Sequence, residues 1–427
     1  MKNLTLLAGR QWPAEQGHSS ILAAATQVNI IENGRCQRCG AFVSAKLPNG
    51  KLYCRACIGI GRAVEGNVLV RYLGHAEFPK QKNGGLTWSG HLTSQQEKIS
   101  AGLVTNFLEK KNSLVHAVTG AGKTEMLFQL IAECMKNGQR ACIATPRIDV
   151  VNELYPRFKA AFSEIKIGKY HGREFKEPDL DQLTICTTHQ LLKFYQAFDL
   201  LVIDEVDSFP YVGDPQLHFG AKNAVKTSGV RVYLTATPTA DLLEEVKQKK
   251  LRLLKLNRRF HGGLLPVPKE KFFLRPFLQK ERLHSKLLSE IIKAVESGHP
   301  LLLFVPRIEQ IPVYLAALRK EHRLQKAQVA GVYAADKQRL EKVAAFREQR
   351  LQILVTTTIL ERGVTFPHVW VIVVAADDAI YTTASLVQIA GRVGRAQHDP
   401  TGLVVYCYHQ YTKNIKLAVR QIREMNR

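Results

Sequence analysis

Long apolar runs are missing from this sequence. No stretch of eighteen consecutive apolar residues occurs, and Met1–Arg10 lacks the long apolar core of a secretory signal. A membrane-spanning helix and a secretory leader are therefore not expected. We expect a cytoplasmic protein, in which any association with the inner face of the cell membrane is peripheral and depends on a partner.

Acidic side chains are also scarce. The 427 residues include 37 Asp and Glu against 60 Lys and Arg, which gives a formal net charge of +23 at pH 7. Because basic groups release condensed counterions when they meet phosphates, this excess favours a polyanionic partner. The alternative is a soluble protein that is merely basic.

Part of the positive charge is concentrated between residues 247 and 280. This segment holds eleven Lys or Arg and a single Glu, and it is interrupted by Gly262, Gly263, Pro266 and Pro268. A basic linker of this kind predicts a surface that follows a nucleic-acid backbone. A solvated, flexible strap is the other interpretation.

Cysteine is sparse, and its eight residues fall into two groups. Four lie in apolar contexts and are interpreted as core residues: Cys134, Cys142, Cys186 and Cys407. The other four form two C-x-x-C pairs, fourteen residues apart: Cys36, Cys39, Cys54 and Cys57. Two such pairs predict a zinc site, which would be structural because four thiolates leave no open position on the ion. Disulfides and an iron–sulfur cluster are the alternatives.

The segment Ala117–Thr124 reads A-V-T-G-A-G-K-T, an apolar strand followed by a glycine-rich turn that ends in Lys and Thr. Loops of this form bind nucleotide phosphates, with Lys123 near the β- and γ-phosphates and Thr124 as a ligand of Mg²⁺. The predicted nucleotide-binding residues are Thr119, Gly120, Ala121, Gly122, Lys123 and Thr124. Ala117 stands where the pattern has its first Gly, and a tight turn carrying a surface lysine is the alternative.

An acidic pair follows another apolar strand eighty residues later. Asp204 and Glu205 come directly after Leu200–Ile203. Asp204 is predicted to hold Mg²⁺ through water, and Glu205 to polarise the attacking water. Together with the glycine-rich turn, the pair predicts binding and hydrolysis of ATP.

Apolar runs alternate with helical stretches twice along the chain. This alternation predicts two tandem α/β domains, each with a parallel sheet covered by helices. The predicted strands lie at 114–118, 141–145, 183–188, 200–203, 231–236, 301–305, 328–333, 351–355, 369–375 and 402–407. The predicted divisions are an N-terminal segment at 1–32, a zinc module at 33–60, a connector at 61–90, a first ATPase domain at 91–246, the basic linker at 247–280 and a second domain at 281–427.

A pair of arginines marks the second domain. Gln388–Arg395 reads Q-I-A-G-R-V-G-R. We expect Arg392 and Arg395 to lie at the start of a helix, one turn apart on the same face, where both could stabilise charge on a γ-phosphate. An isolated arginine pair of this kind is more often part of a solvated face.

These motifs, in this order, resemble the motor of superfamily-2 helicases and translocases over roughly residues 86–410. The resemblance implies two RecA-like domains, catalytic roles for Gln388, Arg392 and Arg395, and recognition of adenine by Gln96. It also implies that Thr235–Thr237 couples hydrolysis to movement. The implied nucleic-acid contacts are Thr145, Pro146, Arg147, Thr188, His189, Arg307 and Thr357. Thr365 departs from the many relatives that have an aspartate near the ribose, so no ribose contact is expected there.

Within that superfamily, the four-cysteine module ahead of the motor and the phrase T-I-L-E-R-G-V-T-F-P at 358–367 are similar to the ComFA family of late competence proteins of Gram-positive bacteria. The resemblance implies a DNA-dependent ATPase that drives uptake of transforming single-stranded DNA. It also implies a membrane DNA channel and a phosphoribosyltransferase-like competence protein as partners.

Two alternatives to this function stay open. The first is a primosomal replication-restart helicase, although its zinc cysteines would be expected in the second motor domain, and no cysteine pair occurs between Pro300 and Arg395. The second, from another class, is a non-enzymatic nucleic-acid-binding adaptor that has kept a motor fold.

Overall fold

The computed structural model describes residues 4–15, 25–74, 76–172, 179–395 and 399–427. The chain divides into two compact units. The first comprises Met1–His116 and Lys123–Leu256, and the second comprises Ala117–Gly122 and Asn257–Arg427. Within the described ranges, no helix combines the length and the apolar character needed to cross a membrane.

A small antiparallel sheet lies at the amino-terminal end of the first unit. Its strands are β1 (Arg10–Ala14), β2 (Thr26–Asn29) and β5 (Val68–Tyr72), and β5 lies in the middle. Between β2 and β5, the short hairpin of β3 (Ile31–Glu32) and β4 (Arg35–Cys36) introduces the cysteine-rich segment. The stretch predicted as a connector therefore contributes a central strand, which has little sequence signal because it is short and almost fully buried.

Seven strands form the sheet of the first α/β fold. They are β6 (Ser113–Ala117), β7 (Ala141–Thr145), β8 (Ile167–Tyr170), β9 (Leu183–Thr187), β10 (Phe198–Asp204), β11 (Val225–Thr235) and β12 (Arg252–Leu256). Their order is β12-β6-β11-β10-β7-β9-β8, and the neighbours from β6 to β8 run parallel. The carboxyl ends of these parallel strands consequently lie at one edge of the sheet.

The helices of this unit follow the predicted alternation. They are α1 (Ser94–Leu108), α2 (Lys123–Met126), α3 (Phe128–Lys136), α4 (Ile148–Ala161), α5 (Pro215–Ala224) and α6 (Ala240–Lys247). Short 3-10 helices lie at Leu4–Leu7, Ile58–Ile60, Lys82–Gly85 and Thr188–Lys193.

The second unit repeats the plan with a six-stranded sheet that is parallel throughout. Its strands are β13 (Lys269–Phe272), β16 (Leu301–Phe304), β17 (Val329–Val332), β18 (Ile353–Thr356), β19 (Trp370–Val373) and β20 (Val404–Tyr408), in the order β13-β20-β19-β16-β18-β17. A separate antiparallel hairpin pairs β14 (Leu278–Gln279) with β15 (Arg282–Leu283). The predicted fold class, two RecA-like α/β folds behind a small cysteine module, is confirmed.

Helices complete this unit. They are α7 (Ser285–Glu296), α8 (Gln310–Lys320), α9 (Arg339–Arg347), α10 (Thr383–Ala390) and α11 (Lys413–Met425), with 3-10 helices at His322–Leu324 and Thr358–Leu360. The segment 247–280, marked as a linker by its charge, supplies one edge strand to each sheet, β12 and β13. Only the residues between these two strands connect the sheets.

The cysteine-rich segment is not a detached appendage. Its four cysteines share one hydrophobic core with residues of the first sheet and with Leu191 and Leu192 of the Thr188–Lys193 helix. A Cβ added to Gly40 would lie 2.8 Å from the ring of Phe219 on α5, so the backbone approaches that helix too closely for a larger residue. The packing joins the module to the first α/β fold.

Candidate functional site

Four sequence motifs meet at the carboxyl edge of the first sheet. The glycine-rich turn follows β6, and Asp204 ends β10. Thr235 ends β11 and Thr145 ends β7, on parallel strands. Ligands of open α/β sheets bind outside this edge, so the topology places the predicted phosphate-binding and acidic residues where such a ligand would lie.

The glycine-rich turn has the backbone that its sequence demands. Gly120 and Gly122 adopt φ values of 80° and 70°, in the left-handed region that favours glycine. Ala117, at the position of the missing first Gly, is fully buried at the end of β6, where its small side chain fits. Helix α2 then begins at Lys123, and the Thr124 side chain is 8% exposed.

The acidic pair combines burial with backbone strain. Glu205 adopts φ 55°, which is uncommon for a residue with a side chain, and its N–H donates to the Asp204 carboxylate at 2.9 Å. Burial raises the pKa of Asp204 to about 6; Lys123 opposes the shift and Glu205 adds to it. Without a cation beside it, this carboxylate is therefore less acidic than usual.

A hydrogen-bond link joins the acidic box, residues Asp204–Asp207, to the segment that ends β11. The Thr237 hydroxyl donates to the Asp207 carboxylate, and the Thr237 N–H donates to the Thr235 hydroxyl at 2.9 Å. Burial lowers the pKa of His116, whose Nε2 lies 3.2 Å from the Ala236 carbonyl oxygen. The segment predicted to couple hydrolysis to movement thus contacts the acidic box directly.

The predicted helix around the arginine pair is wrong. Helix α10 ends at Ala390, and the residues from Gly391 to Gly394 form turns, with Gly394 at φ 68°. Arg392 is 1% exposed and donates from Nε to the Glu361 carbonyl at 2.9 Å. Arg395 is partly exposed and donates to the Gly391 carbonyl at 3.0 Å. The glycines end the helix, so the two arginines do not share one helical face.

Sequence reasoning missed Arg259, which organises this turn. It was counted with the basic linker, but its side chain is 2% exposed and donates to the carbonyl oxygens of Val393, at 2.7 Å, and Gly394. Burial lowers the pKa of Arg259 to about 9, and Arg395 contributes to the shift. Gln388 on α10 is buried as well, and Arg395 also donates to the Thr365 hydroxyl at 3.3 Å.

The predicted nucleic-acid contacts differ in exposure. His189 and Arg307 are exposed, and Arg307 pairs with Asp378 at 3.7 Å. Arg147 is half-buried at the start of α4. The side chains of the remaining predicted contacts are buried: Thr145, Pro146, Thr188 and Thr357.

Gln96, the predicted adenine reader, caps a helix. Its side-chain oxygen accepts from the Thr93 N–H at 2.8 Å, and the Thr93 hydroxyl accepts from the Gln96 N–H at 3.3 Å. This reciprocal capping box begins α1. A cavity of about 520 Å³, lined in part by Trp88, His91 and Leu92, lies along the same helix.

The four cysteines converge as a metal site requires. All four Sγ atoms lie within 4.8 Å of one another in the buried core. The Cys36 and Cys57 sulfurs are 3.8 Å apart, and those of Cys39 and Cys54 are 3.6 Å apart. A zinc ion with Zn–S bonds of about 2.3 Å would separate tetrahedral sulfurs by about 3.8 Å. Hydrogen bonding from Cys39 lowers the pKa of Cys36 to about 7. The donor set fits zinc, and these distances are too long for disulfides.

A buried arginine, also missed from the sequence, contacts this cysteine cluster. Arg38 is 1% exposed and donates to the Cys57 Sγ from Nη2 at 2.9 Å and from Nε at 3.3 Å. It also donates to the carbonyl oxygens of Cys57 at 2.9 Å, Ile60 at 3.2 Å and Gly61 at 2.6 Å. Position 38 reads as one more basic residue of a surface, so the sequence offered no signal of its burial.

Comparison with known proteins assigns the chain to a family. Residues 89–240 match the family model described as type III restriction enzyme, res subunit, and residues 283–397 match the helicase conserved C-terminal domain. Competence protein ComFA of Streptococcus pneumoniae is 44% identical over 92% of this chain and 90% of that protein. Competence protein ComFA of Bacillus subtilis is 38% identical over 97% of this chain and 90% of that protein. The chain belongs to the ComFA family.

A solved structure supports the fold of this ComFA-family protein. The helicase Lhr of Mycobacterium smegmatis, bound to ssDNA and AMP-PNP, has a TM-score of 0.58 at 16% identity. The likeness covers 79% of this chain and 50% of that chain. The helicase domains and the family together make this an ATP-dependent, helicase-like protein.

Proposed function

We propose that this ComFA-family protein is a DNA-dependent ATPase that moves along single-stranded DNA and drives uptake of transforming DNA during competence. The observation that carries the proposal is the meeting of the glycine-rich turn, the acidic pair and the Thr235–Thr237 segment at one edge of the first sheet. The net charge of +23 supports a polyanionic substrate.

The residues around the first sheet have distinct roles in the proposed reaction. The backbone from Thr119 to Gly122 and the Lys123 ammonium bind the phosphates of ATP. Thr124 and Asp204 hold Mg²⁺, which neutralises phosphate charge when bound. Glu205 orients and polarises the attacking water. Gln96 lies at the start of α1, where we place recognition of the base.

Residues of the second unit supply positive charge to the transition state. Gln388, Arg392 and Arg395 are the proposed catalytic residues, with the guanidinium groups stabilising charge on the γ-phosphate. Arg259 acts as a positioning residue, because its hydrogen bonds hold the Val393 and Gly394 carbonyls. Among the proposed DNA contacts, His189 and Arg307 have exposed side chains and are therefore best placed to reach the DNA.

The zinc site is proposed to be structural, since four thiolates saturate the ion. The proposed partners are a membrane DNA channel and a phosphoribosyltransferase-like competence protein. The proposed location is the cytoplasm, at the inner face of the membrane through those partners.

Two variants test the ATPase assignment. Lys123→Ala removes the phosphate counter-charge and is expected to weaken nucleotide binding and abolish turnover. Glu205→Gln is expected to keep nucleotide binding while lowering kcat by orders of magnitude. Nucleotide affinity and hydrolysis are measured with and without single-stranded DNA, with Glu164→Gln in the exposed turn after α4 as the matched control. Undiminished DNA-stimulated hydrolysis by either variant would overturn the assignment.

A further inference from the structure

The second unit contains a basic cavity that none of the helicase motifs enters. It has a volume of about 670 Å³ and lies where the β14–β15 hairpin meets the start of α7. Arg275, Lys280, Arg282 and His284 contribute to its lining. The hairpin presents Lys280 at a two-residue turn in which Lys280 and Glu281 have φ values of 45° and 59°, values that this kind of turn usually gives to Asn or Gly.

Among the described residues, the arginine and lysine side chains of this cavity have no acidic partner. Within the part of the chain that the structure describes, no carboxylate lies within ion-pair distance of Arg275, Lys280 or Arg282, whereas the neighbouring Glu281 is paired with Lys320. His284 Nδ1 accepts the Lys286 N–H at 3.2 Å and so caps α7 itself. The attraction for an anion would therefore come from the three side chains, which repel one another until an anion binds.

Aromatic side chains lie beside the cavity on the sheet edge. Phe272 of β13 is paired in register with Tyr408 of β20, and their ring centroids are 6.2 Å apart. The Tyr408 and Tyr411 rings follow at 5.5 Å. Phe272 and Tyr411 are 50% and 49% exposed. The acidic residue of β13, Glu270, is hydrogen-bonded to Tyr411 and is therefore engaged within this aromatic group.

Two contacts connect the start of α7, at the cavity, with the end of β13, which carries the first of the aromatic rings. The Lys286 ammonium donates to the Phe272 carbonyl at 2.7 Å, and the His284 ring packs against Phe273 at 5.1 Å. The surface lies past the carboxyl ends of β13 and β20, at the same sheet edge as Arg307, which follows β16. A strand held at Arg307 could therefore continue along this edge toward the hairpin.

We propose that this edge of the second sheet is an additional binding surface for single-stranded DNA. Arg275, Lys280 and Arg282 hold backbone phosphates, while Phe272 and Tyr411 stack on bases. A basic groove beside exposed aromatic rings is the combination that binds unpaired strands, because every base has a face that can stack. The inference rests on the proposed function, since it takes single-stranded DNA as the substrate.

Salt dependence of binding tests the cationic part. We compare two double variants. The first carries Arg275→Ala and Arg282→Ala together. The second, a charge-matched control, carries Arg319→Ala and Arg347→Ala on the exposed sides of α8 and α9. Anisotropy of labelled oligodeoxythymidine is measured over a salt series on the full chain. Loss of two phosphate contacts should reduce the slope of log affinity against log salt by about 1.4, or about 25-fold in affinity at 0.1 M salt. The control should keep the wild-type slope.

The aromatic part has a different signature. The double variant with Phe272→Ala and Tyr411→Ala should bind single-stranded DNA at least about fivefold more weakly. Its slope of log affinity against log salt should equal that of the wild type. Duplex DNA of the same length should show no such loss, because its bases are already stacked. Thermal unfolding of each variant checks that the second unit is folded. If the aromatic variant does not fold, the double variant of Arg275 and Arg282 provides the test.

The outcomes separate this inference from the proposed function. If the wild-type protein shows no hydrolysis stimulated by single-stranded DNA, the proposed function fails. If stimulation is normal but the Arg275 and Arg282 variant behaves as the charge-matched control, only this surface is rejected. The same rejection follows if both double variants bind DNA as the wild type does, as expected for a surface that contacts a protein partner.

Discussion

Asp204 illustrates how function and stability oppose each other at a single residue. In its proposed role the carboxylate must be charged to help hold Mg²⁺, but burial favours its neutral form and raises its pKa to about 6. The neighbouring Glu205 carries a strained backbone at φ 55°. The burial of the Asp204 carboxylate and the backbone strain at Glu205 are both unfavourable for folding. Both occur at residues proposed to act on the nucleotide, and strain of this kind is concentrated at functional sites.

The raised pKa of Asp204 predicts how stability depends on pH. The folded-state pKa of about 6 lies above the value of about 3.9 in an unfolded chain, so the folded state binds the proton more tightly. The contribution of Asp204 to the free energy of unfolding should fall as pH rises from about 4 to 6, by up to about 3 kcal/mol. In nucleotide-free protein, Asp204→Asn should therefore be more stable than wild type at pH 7.

Denaturant unfolding of both proteins from pH 4 to pH 8 measures this difference. The stability gap between Asp204→Asn and wild type should narrow toward pH 4, where the wild-type carboxyl is protonated in the folded state and about half protonated in the unfolded state. A gap that stays constant across this range would show that Asp204 has an ordinary pKa.

At the scale of elements, the zinc module combines a cysteine cluster with a buried arginine. Arg38 is removed from solvent, and a buried charge is unfavourable unless an opposite charge or several hydrogen bonds compensate it. Among the described residues, its polar contacts are Cys57 and the turn around Ile58–Ile60, with no carboxylate. The compensating charge would be that of the thiolates of the proposed zinc site, so the bound metal and the arginine would stabilise each other.

Arg38→Met should therefore weaken zinc binding by about 10- to 100-fold, as loss of an outer hydrogen bond to a ligand typically does. Competition with a chromogenic chelator measures zinc affinity, and the thiolate-to-metal absorption of the Co²⁺-substituted protein reports on Cys57. The matched control is Arg35→Met, because Arg35 is exposed and lies over the ring of Phe42 at 3.7 Å. Equal zinc affinity in the two variants would contradict a role for Arg38 at the site.

For the whole molecule, family membership leaves the cellular role to experiment. A competence motor acts while DNA enters the cell, whereas a replication-restart helicase acts at stalled forks. A strain carrying Lys123→Ala should grow normally and take up far less transforming DNA. Transformation frequency, growth rate and sensitivity to replication damage are compared with a strain carrying the Glu164→Gln control. Near-normal transformation with a replication defect would favour the restart function.

The sequence alone determined the features that short segments specify. The glycine-rich turn, the two C-x-x-C pairs and the central strands are each set by a few adjacent residues, because local chain geometry and burial impose recognisable patterns on them. The parallel sheets followed from the alternation of these strands with helices. The predictions of fold class and family rested on such segments, and both were confirmed.

The tertiary structure decided what depends on distant contacts. Charge suggested a linker at 247–280, but pairing with β6 and β20 makes edge strands of its parts. In the sequence, Arg38 and Arg259 are two basic residues among many. Only the fold shows that they are buried, with sulfur and carbonyl acceptors around them. The helix expected at Arg392 and Arg395 ended at Ala390, because two glycines and the Arg259 hydrogen bonds favour a turn. These outcomes depend on contacts outside the local segment, with partners from 19 residues away for Arg38 to 134 residues away for Arg259, which no local pattern encodes.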